Sequence, residues 1–197
     1  MFISSLVSER ESYQNYFIKD ISQNQISEQN VISPYLRVPY KHTDTCQNEQ
    51  NKPYDCIVTR WLYIGANDTR WTSSFDVSDD NYKRSIYRAI SYNANLSADG
   101  EFSKPFTARD YQWNQAEIVL PIRDARGLKS MPSLQNKKKN YPFNLVQNKE
   151  QSGFDILSIR MDQQAELITA LQNGFKFNAK IQLDGLSEFT LIPTSDR

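Results

Sequence analysis

The first hydrophobic pattern in the chain is helical. Apolar residues recur there at intervals of three and four with polar residues between them, which is typical of a helix with one apolar face. The pattern predicts a helix over residues 4–25, with Ser8 and Glu11 spaced as in a capping box and Ser22-Gln-Asn-Gln ending it. The apolar positions are Leu6, Val7, Tyr13, Tyr16, Phe17 and Ile21.

From Pro34 onward, apolar and polar residues alternate, which is typical of strands. Ala116–Ile122 is the most apolar of these segments, so we expect it to be a central strand. Ser78-Asp-Asp-Asn is expected to end the strand that begins at Trp71. The last two strands are predicted to form a hairpin across Asp184-Gly185, because this dipeptide favours tight turns. The predicted strands cover residues 35–45, 57–64, 71–77, 85–102, 116–122, 154–161, 175–183 and 188–193.

Two segments interrupt the strand pattern. Residues 162–172 are predicted to form a short helix with Asp162 as N-cap and Asn173-Gly174 as C-cap. Residues 129–152 contain Pro132, Pro142 and several Asn, and they are predicted to be a long loop. Many strands at short spacing indicate a mainly β fold, an antiparallel β-sandwich-like domain with an N-terminal helix and one short additional helix.

Composition narrows the class of protein. A chain of 197 residues with 39% hydrophobic and 12% aromatic residues is long enough for one domain with a real core and too apolar for a disordered chain. It has 23 basic and 23 acidic residues, so its formal net charge is zero, which argues against a protein that depends on nucleic-acid phosphates for affinity. No apolar run approaches the length needed to span a bilayer.

The chain has two cysteines, Cys46 and Cys56, at the ends of a polar loop over residues 47–55. If residues 35–45 and 57–64 pair as a hairpin, the two cysteines lie opposite each other at the base of this loop, close enough for a disulfide. A disulfide requires an oxidising compartment. The alternative is two unrelated reduced thiols in a cytosolic protein.

Patterns typical of catalysis and metal binding are weak. His42 is the one histidine, and it stands in a polar segment without a nucleophile elbow elsewhere in the sequence. The segment that starts at Asp76 resembles a calcium loop, but Asn81 and Tyr87 stand where that loop needs Gly and Glu. Lys137-Lys-Lys is a short basic run in a neutral chain, and a solvated loop explains it. We therefore expect no metal, no cofactor and no nucleic-acid partner.

Three tryptophans are the best candidates for a binding surface. Trp61, Trp71 and Trp113 stand on predicted strands or at their ends, where they could line a groove for a carbohydrate or a peptide. The alternative is that they belong to the core, as large aromatic residues often do.

An ordered set of short motifs extends over nearly the whole chain. The motifs are Val7-Ser-Glu-Arg, Val31-Ile-Ser-Pro-Tyr-Leu-Arg-Val-Pro-Tyr, Ser85-Ile-Tyr87, Gly100-Glu-Phe, Trp113-Asn-Gln-Ala, Asp124-Ala-Arg-Gly-Leu, Leu183-Asp-Gly-Leu and Leu191-Ile-Pro193. This set resembles the CreD family of inner-membrane cell-envelope proteins. Two departures are Ser33, where the family usually has Gly, and Arg88-Ala-Ile-Ser-Tyr, which lacks the usual Val-Pro.

The resemblance implies a location and a role. Family members have an N-terminal membrane helix, a large periplasmic domain and several C-terminal membrane helices. The expectation is therefore that residues 1–197 are a single periplasmic domain of a polytopic protein in the bacterial inner membrane, with residues 1–28 as a helical segment after the first membrane helix. The family role is envelope integrity, including the response to envelope stress and β-lactams, and it carries no known catalytic residue.

The motif residues are interpreted as structural. Gly127 suits a tight turn with positive φ, in which Asp124 could accept backbone amides and Arg126 could pair with Asp124. Gly100 and Gly185 are expected at turns or bulges. Tyr87, Leu128 and Pro193 complete the set that the resemblance marks.

These observations lead to one functional hypothesis and one alternative. The hypothesis is a non-enzymatic periplasmic domain that binds an envelope component or a partner protein and is tethered to the membrane in the full-length protein. The alternative is a periplasmic carbohydrate-active enzyme or carbohydrate-binding module that uses an aromatic groove.

Overall fold

The computed structural model describes residues 2–84, 87–103, 111–137, 139–146 and 153–194. Strands make up more than half of it, so the protein is mainly β as predicted. The helices are α1 (Phe2–Asn24) and α2 (Ala165–Gln172). The strands are β1 (Gln29–Ile32), β2 (Tyr35–Gln47), β3 (Pro53–Gly65), β4 (Asn67–Arg84), β5 (Tyr87–Phe102), β6 (Glu117–Ile122), β7 (Ser133–Asn136), β8 (Lys139–Pro142), β9 (Asn144–Val146), β10 (Asp155–Arg160), β11 (Phe175–Leu186) and β12 (Phe189–Ile192).

The strands form two sheets. The first has the order β12-β1-β6-β10-β9, with β2 pairing with β6 beyond the end of β1 and β3 pairing with β2. Its pairs are antiparallel except for β1 with β12, which is parallel. The second sheet has the order β4-β5-β11-β7-β8 and is antiparallel throughout. The antiparallel two-sheet architecture expected from the sequence is therefore confirmed.

One hydrophobic core joins the two sheets. Strand β6 is central, as predicted, and its residues Ile118, Leu120 and Ile122 are fully buried. Alternate residues of β5 and β11 face the same core, since the side chains of a strand point to opposite faces in turn. Leu167 and Leu171 of α2 also belong to this core. Ala89 of β5 is buried, whereas its neighbour Ile90 is 51% exposed.

The N-terminal helix packs on a separate, smaller cluster. α1 agrees with the predicted helix within two residues at its start and one at its end. Phe17 and Ile21 of α1 are buried against Ala89 and Leu186. Much of the rest of the helix is exposed, including Tyr16 at 66%. A single apolar stripe of this kind attaches the helix to the surface of the second sheet.

The predicted start of the second helix was wrong by one turn. Asp162 does not cap α2 but lies in a 3-10 turn, Met161–Gln163, and pairs with Arg160 at 2.5 Å. The N-cap position belongs to Gln164, which forms no side-chain capping bond. Asn173 is the C-cap, and Gly174 follows with a φ of +89°, so the predicted C-terminal signal holds.

The predicted hairpin across Asp184-Gly185 was wrong. β11 continues through both residues to Leu186, because it pairs with β5 along its whole length. The chain turns afterwards at Ser187, whose φ is +63°, and β12 then joins the other sheet beside β1. A local turn signal was overridden here by long-range strand pairing.

Two other segments contain more strand than predicted. β4 does not end at Ser78-Asp-Asp-Asn but continues to Arg84, with a β-bulge between Ser78 and Tyr82 that absorbs the polar residues. The predicted loop over residues 129–152 contains the β7–β8 hairpin, which turns at Lys137 with a φ of +52°, and β9, which pairs with β10.

Candidate functional site

Asp124 lies at the centre of a network that joins the helix to the sheets. It follows β6 and precedes a 3-10 turn, Ala125–Gly127. Its side chain is 6% exposed and accepts hydrogen bonds from the backbone N and Oγ of Ser27, at 3.1 and 3.0 Å. Arg126 donates to it from its backbone N at 3.1 Å and from its guanidinium at 2.8 and 2.7 Å. We call Ser27, Gln29, Asp124, Arg126 and Gly127 the helix–sheet junction.

The electrostatics of the junction keep Asp124 charged. Burial by itself raises the pKa of this carboxyl, but the hydrogen bonds from Arg126 and Ser27 outweigh burial and hold the pKa below its usual range. The same pairing raises the pKa of Arg126. At neutral pH, Asp124 is therefore an acceptor whose hydrogen bonds hold two segments together.

Arg126 also reaches the end of α1. Its Nη2 donates to the carbonyl of Ser22 at 2.9 Å and its Nη1 to that of Gln23 at 3.1 Å. The last carbonyls of a helix lack intrahelical partners, and a cation there is favoured by the helix dipole. The guanidinium therefore links the C-terminal end of α1 to the turn after β6.

Gly127 is required because two other segments of the chain approach it closely. A Cβ at this position would collide with the carbonyl oxygen of Asp184 and the side-chain amide of Gln29. Gln29 is fully buried, and its Nε2 donates to the carbonyl of Asp124 at 3.1 Å. Leu128 then forms a bridge with Leu183 of β11. Among the described glycines, φ is positive at Gly153 and Gly174 but not at Gly127. The expectation of a positive φ at Gly127 was therefore wrong.

Gly185 serves a similar purpose beside the junction. It lies inside β11, not at a turn as expected, and a Cβ there would collide with the ring of Tyr92. The hydroxyl of Tyr92 donates to the carbonyl of Glu188 at 2.6 Å. Burial raises the pKa of Tyr92 to about 12, so the phenol is neutral at physiological pH.

Two open hollows border the junction. One has a volume of about 500 Å³ and includes Ser27, Asp124 and Arg126 in its lining. The other, of about 450 Å³, lies on the outer face of the second sheet. In the latter, Lys129 forms an ion pair with Asp184, which also accepts a hydrogen bond from Asn93 at 2.9 Å. Ser27, Asp124 and Arg126 in one hollow, and Asn93, Lys129 and Asp184 in the other, are thus engaged with one another.

The β2–β3 hairpin, residues 35–65, is a long two-stranded structure that we call the ribbon. Cys46 and Cys56 form a disulfide in it, with their Cα atoms 5.8 Å apart. The two cysteines were expected to lie directly opposite each other, and this was wrong: they are diagonal neighbours, since Cys46 pairs with Tyr54 and Cys56 with Asp44. The strands extend further than predicted toward a tight turn at Asn48–Asn51, which sets this register.

One face of the ribbon exposes a row of apolar side chains. Ile57 is 71% exposed, Trp61 40% and Tyr63 60%. The guanidinium of Arg37 lies 5.0 Å from the ring centroid of Trp61, and the rings of Tyr35 and Tyr63 are 5.9 Å apart. Contiguous exposed apolar side chains of this kind are typical of interaction surfaces. We call Ile57, Thr59, Trp61 and Tyr63 the ribbon face.

The three tryptophans proposed for one groove have three different surroundings. Trp61 lies on the ribbon face. Trp71 packs against the core and donates from Nε1 to the Oγ of Ser33 at 3.0 Å. Trp113 also packs against the core, with the ring of Tyr111 at 6.3 Å. The alternative interpretation, that such residues belong to the core, therefore describes Trp71 and Trp113.

The remaining motif residues are spread over the molecule. Tyr87 is half-buried at the start of β5, with the ring of Tyr13 at 6.4 Å. Gly100 lies opposite a β-bulge in β4, between the pairs Asn67 with Glu101 and Arg70 with Asp99, as expected for a bulge. Pro193 is exposed just after β12. Of the marked residues, the structure gathers Asp124, Arg126, Gly127, Leu128 and Gly185 at one end of the sandwich.

The weaker candidates have ordinary environments. His42 lies on β2, where the ring of Tyr40 is 6.4 Å away. Lys139, at the end of the basic run, forms an ion pair with Glu166. Among the described residues, no group of three or more His, Cys, Asp or Glu side chains is placed to hold a metal ion. No helix in the described part of the chain is long and apolar enough to span a membrane.

Sequence reasoning missed several residues of these sites. Ser27 and Gln29 carry no signal by themselves, because their partner Asp124 is about a hundred residues away in the chain. The ribbon face did carry a signal: Ile57, Trp61 and Tyr63 alternate with other residues in a predicted strand and therefore share one face. What the sequence did not give was that this face lies outside.

The comparisons with known proteins give one match. A family model described as inner membrane protein CreD matches residues 1–197, the whole chain. No curated protein and no solved structure matches the chain.

Proposed function

The chain belongs to the CreD family of inner membrane proteins, and from this premise we propose that it is a periplasmic, non-enzymatic domain that binds an envelope component or a partner protein. Through this binding it contributes to envelope integrity and to the response to envelope stress and β-lactams. The observation that carries the proposal is the ribbon: a hairpin closed by a disulfide that presents an apolar face to solvent.

The disulfide supports the periplasmic location. Disulfides persist in the periplasm and are rare in the reducing cytosol. Both cysteines are only partly buried, so they are open to the redox conditions of their compartment. In a family of inner membrane proteins, a domain with this disulfide fits the outer side of the membrane.

Two carboxyl groups with a shifted pKa are engaged in ion pairs and are not prepared for general acid catalysis. The hydrogen bond from Arg60 lowers the pKa of Asp44, and the pKa of Asp124 is also lowered. Each of these carboxylates is paired with an arginine and remains charged. A general acid needs a carboxyl whose pKa is raised, so neither group is prepared for that role.

The location is tested by trapping the thiols of the full-length protein in growing cells. Cells are quenched with acid, free thiols are alkylated, and the disulfide is then reduced and labelled with a second reagent. We expect Cys46 and Cys56 to take only the second label, whereas alkylation before reduction would place the domain in a reducing compartment and overturn the proposal. Alkylation of unfolded protein serves as the positive control.

The binding role is tested by substitution on the ribbon face. The full-length variant Ile57→Ser/Tyr63→Ser is expressed in a host that lacks its own copy, and survival under a β-lactam is measured. We expect the variant to fail to complement while remaining folded and abundant. The control Val77→Ser/Met131→Ser removes two apolar side chains of similar exposure, 65% and 55%, elsewhere. Equal complementation by both variants would contradict a role for this face.

A second candidate, binding of a glycan, is favoured by the outer face of the second sheet. Asn93, Asn95, Gln182 and Asp184 form a hydrogen-bonded polar row there, and side chains of these types suit sugar hydroxyls. Titration calorimetry with soluble glycan fragments would test it, with Asn95→Ala/Gln182→Ala as the variant. Heat of binding that this variant abolishes would support the candidate, and absence of any binding heat would reject it.

A further inference from the structure

The edge of the ribbon is open to a further strand. Within the described strands, β3 pairs with β2 alone. β2 has a neighbour on each of its two edges at Tyr40. This residue pairs with Arg60 of β3 on one edge and forms a bridge with Tyr111 on the other edge. The opposite edge of β3 therefore presents its backbone N–H and C=O groups outward, and such an edge is a template for pairing with another strand.

This edge has fewer of the features that normally prevent pairing than the edge of the other sheet: it has no bulge, and its charged residues are Asp55 and Arg60. β3 pairs with β2 through 13 consecutive residues without a register shift, so it is regular and long. The edge strand of the other sheet, β4, contrasts with it: it contains two register shifts and the charged residues Asp76, Asp79 and Lys83. Bulges and charges protect an edge, and β3 has neither bulge nor charge at the positions of the ribbon face.

The sequence of β3 complements itself in one antiparallel register. A two-fold axis through Thr59 places Thr59 opposite Thr59 of the second copy and Ile57 opposite the second Trp61. It also places Asp55 opposite the second Tyr63, whose hydroxyl can donate to the carboxylate. Threonine pairs and pairs of aromatic with β-branched residues stabilise antiparallel strands.

The neighbouring registers are less favourable. A shift of the axis to Val58 places Asp55 opposite the exposed, apolar Trp61 of the other copy. A shift to Arg60 places the two Arg60 side chains opposite each other, which like charges oppose. The two-fold axis of a dimer must map each face of the ribbon onto itself, so only whole-residue shifts of this kind are available.

We propose that the partner of the ribbon is a second copy of this chain, which joins by antiparallel pairing of β3 with β3 about Thr59 and continues the first sheet across the dimer. The inference rests on the proposed binding function and specifies its partner. On the shared face of this continuous sheet, Ile57 and Trp61 of one copy lie beside Trp61 and Ile57 of the other copy.

The register is tested by cross-linking of Thr59→Cys. The variant chain is oxidised or treated with a short bis-maleimide, and the product is separated without reduction. We expect a covalent species of twice the 22.9 kDa chain mass, joined between the two residues at position 59, with the Cys46–Cys56 disulfide intact. The control is Thr72→Cys, an exposed threonine replaced in the same way on the other edge strand, and it is expected to remain uncross-linked.

The energetic role of the face is tested in solution. The association of the unmodified chain is measured by analytical ultracentrifugation over a range of concentrations. Ile57→Lys, which places a charge opposite Trp61 twice in each dimer, is expected to weaken association by about tenfold or more. Val77→Lys, at a similarly exposed apolar position of β4, is expected to leave association unchanged.

Failure of this inference can be separated from failure of the proposed function. A monomer at every concentration, together with no cross-link at position 59, overturns the pairing of two copies. If Thr59→Cys in the full-length protein is then cross-linked in cells to a different protein, the ribbon binds but its partner is not a second copy. If no position of the ribbon face cross-links to anything, both the dimer and the binding role of this face are rejected.

Discussion

Asp124 shows how one buried carboxylate determines local structure. It accepts five hydrogen bonds from Ser27, which lies after α1, and from Arg126, which lies in the turn after β6. Because hydrogen bonds to charged groups are stronger than neutral ones, this carboxylate holds the end of α1 against the turn after β6. Asp124 therefore stabilises the fold by linking these two segments.

We expect Asp124→Asn to lower the free energy of unfolding by about 2 kcal/mol, because the substitution replaces one of the two acceptor oxygens at this buried position by an NH2 group that faces other donors. Urea denaturation measures the change. The control is Asp79→Asn: this residue pairs with Arg88 at 3.1 Å on the surface, and its loss is expected to cost less than about 0.5 kcal/mol. Equal effects of the two substitutions would contradict a special stabilising role for the hydrogen bonds of Asp124.

The lowered pKa of Asp124 predicts a dependence of stability on pH. A carboxyl whose pKa is lower in the folded state than in the unfolded state binds fewer protons when folded, so its contribution to stability is complete above its unfolded pKa, for which the reference is 3.8. This contribution is lost as the pH falls below that value. We expect the free energy of unfolding of Asp124→Asn to fall less steeply below pH 3.8 than that of the original chain, as measured by denaturation at several pH values.

At the residue scale, the sequence predicted the pairing of side chains within a turn better than it predicted contacts between distant segments. The pairing of Arg126 with Asp124 lies within three residues, so a local pattern could suggest it. The contact of Gly127 with Asp184 and of Gly185 with Tyr92 could not be predicted, because the colliding groups come from distant segments. Gly127 does lie in a turn, as predicted, whereas Gly185 lies inside β11; at both positions another segment approaches so closely that a Cβ would collide with it.

At the scale of the element, the stability of the ribbon depends on the disulfide more than the stability of the rest of the first sheet does. Its outer half extends beyond the core, where alternate residues from Lys41 to Gln47 are exposed. Few buried contacts hold this part, so the disulfide limits its local opening. The stability of the ribbon is thus partly independent of the global stability.

We expect Cys46→Ser/Cys56→Ser to increase hydrogen exchange of the amides in residues 41–47 and 53–60 by about tenfold or more, since a cross-link of this loop length restricts the open state. Amides of β6 are expected to exchange at their original rate, because the central strand opens only with the whole domain. Mass spectrometry of peptides after exchange measures both regions. Faster exchange in β6 as well would show that the ribbon is part of the global unit.

The element scale is also where turn signals failed most clearly. Asp184-Gly185 favours a hairpin locally, yet the segment pairs with β5 through twelve residues. A two-residue preference is weak against the hydrogen bonds and side-chain packing of a whole strand. The bounds of α1 were predicted within two residues because its signal is internal to the segment, whereas the start of α2 was misplaced by one turn.

At the scale of the whole molecule, one core joins both sheets and α2. Leu120 of the central strand is fully buried in it. We expect Leu120→Ala to lower the free energy of unfolding by about 3 kcal/mol, because it leaves a cavity between the sheets. Circular dichroism and tryptophan fluorescence should report the same shifted midpoint.

The control for this substitution is Leu145→Ala in the outer strand β9. Leu145 is 43% exposed, so its truncation leaves little cavity, and its cost is expected to be below about 1 kcal/mol. Different midpoints for the two spectroscopic probes in Leu120→Ala would show that the sheets unfold separately.

The sequence by itself determined the kind of protein this is. Alternation along most of the strands, together with the apolar run over residues 116–122, predicted the mainly β class, since side-chain direction in a strand follows a period of two. The ordered motifs predicted the family that the family model also matches. Two cysteines near each other in the chain predicted the disulfide that the structure contains.

Only the tertiary structure decided which partners distant segments have. It placed β12 beside β1 rather than beside β11, gathered Asp124 with Ser27, and left the β3 edge open among the described strands. These outcomes depend on contacts between residues far apart in the chain, whose free energy does not appear in any local pattern. For the same reason, only the arrangement of both sheets decides that Trp61 is exposed while Trp71 and Trp113 pack, partly buried, against the core.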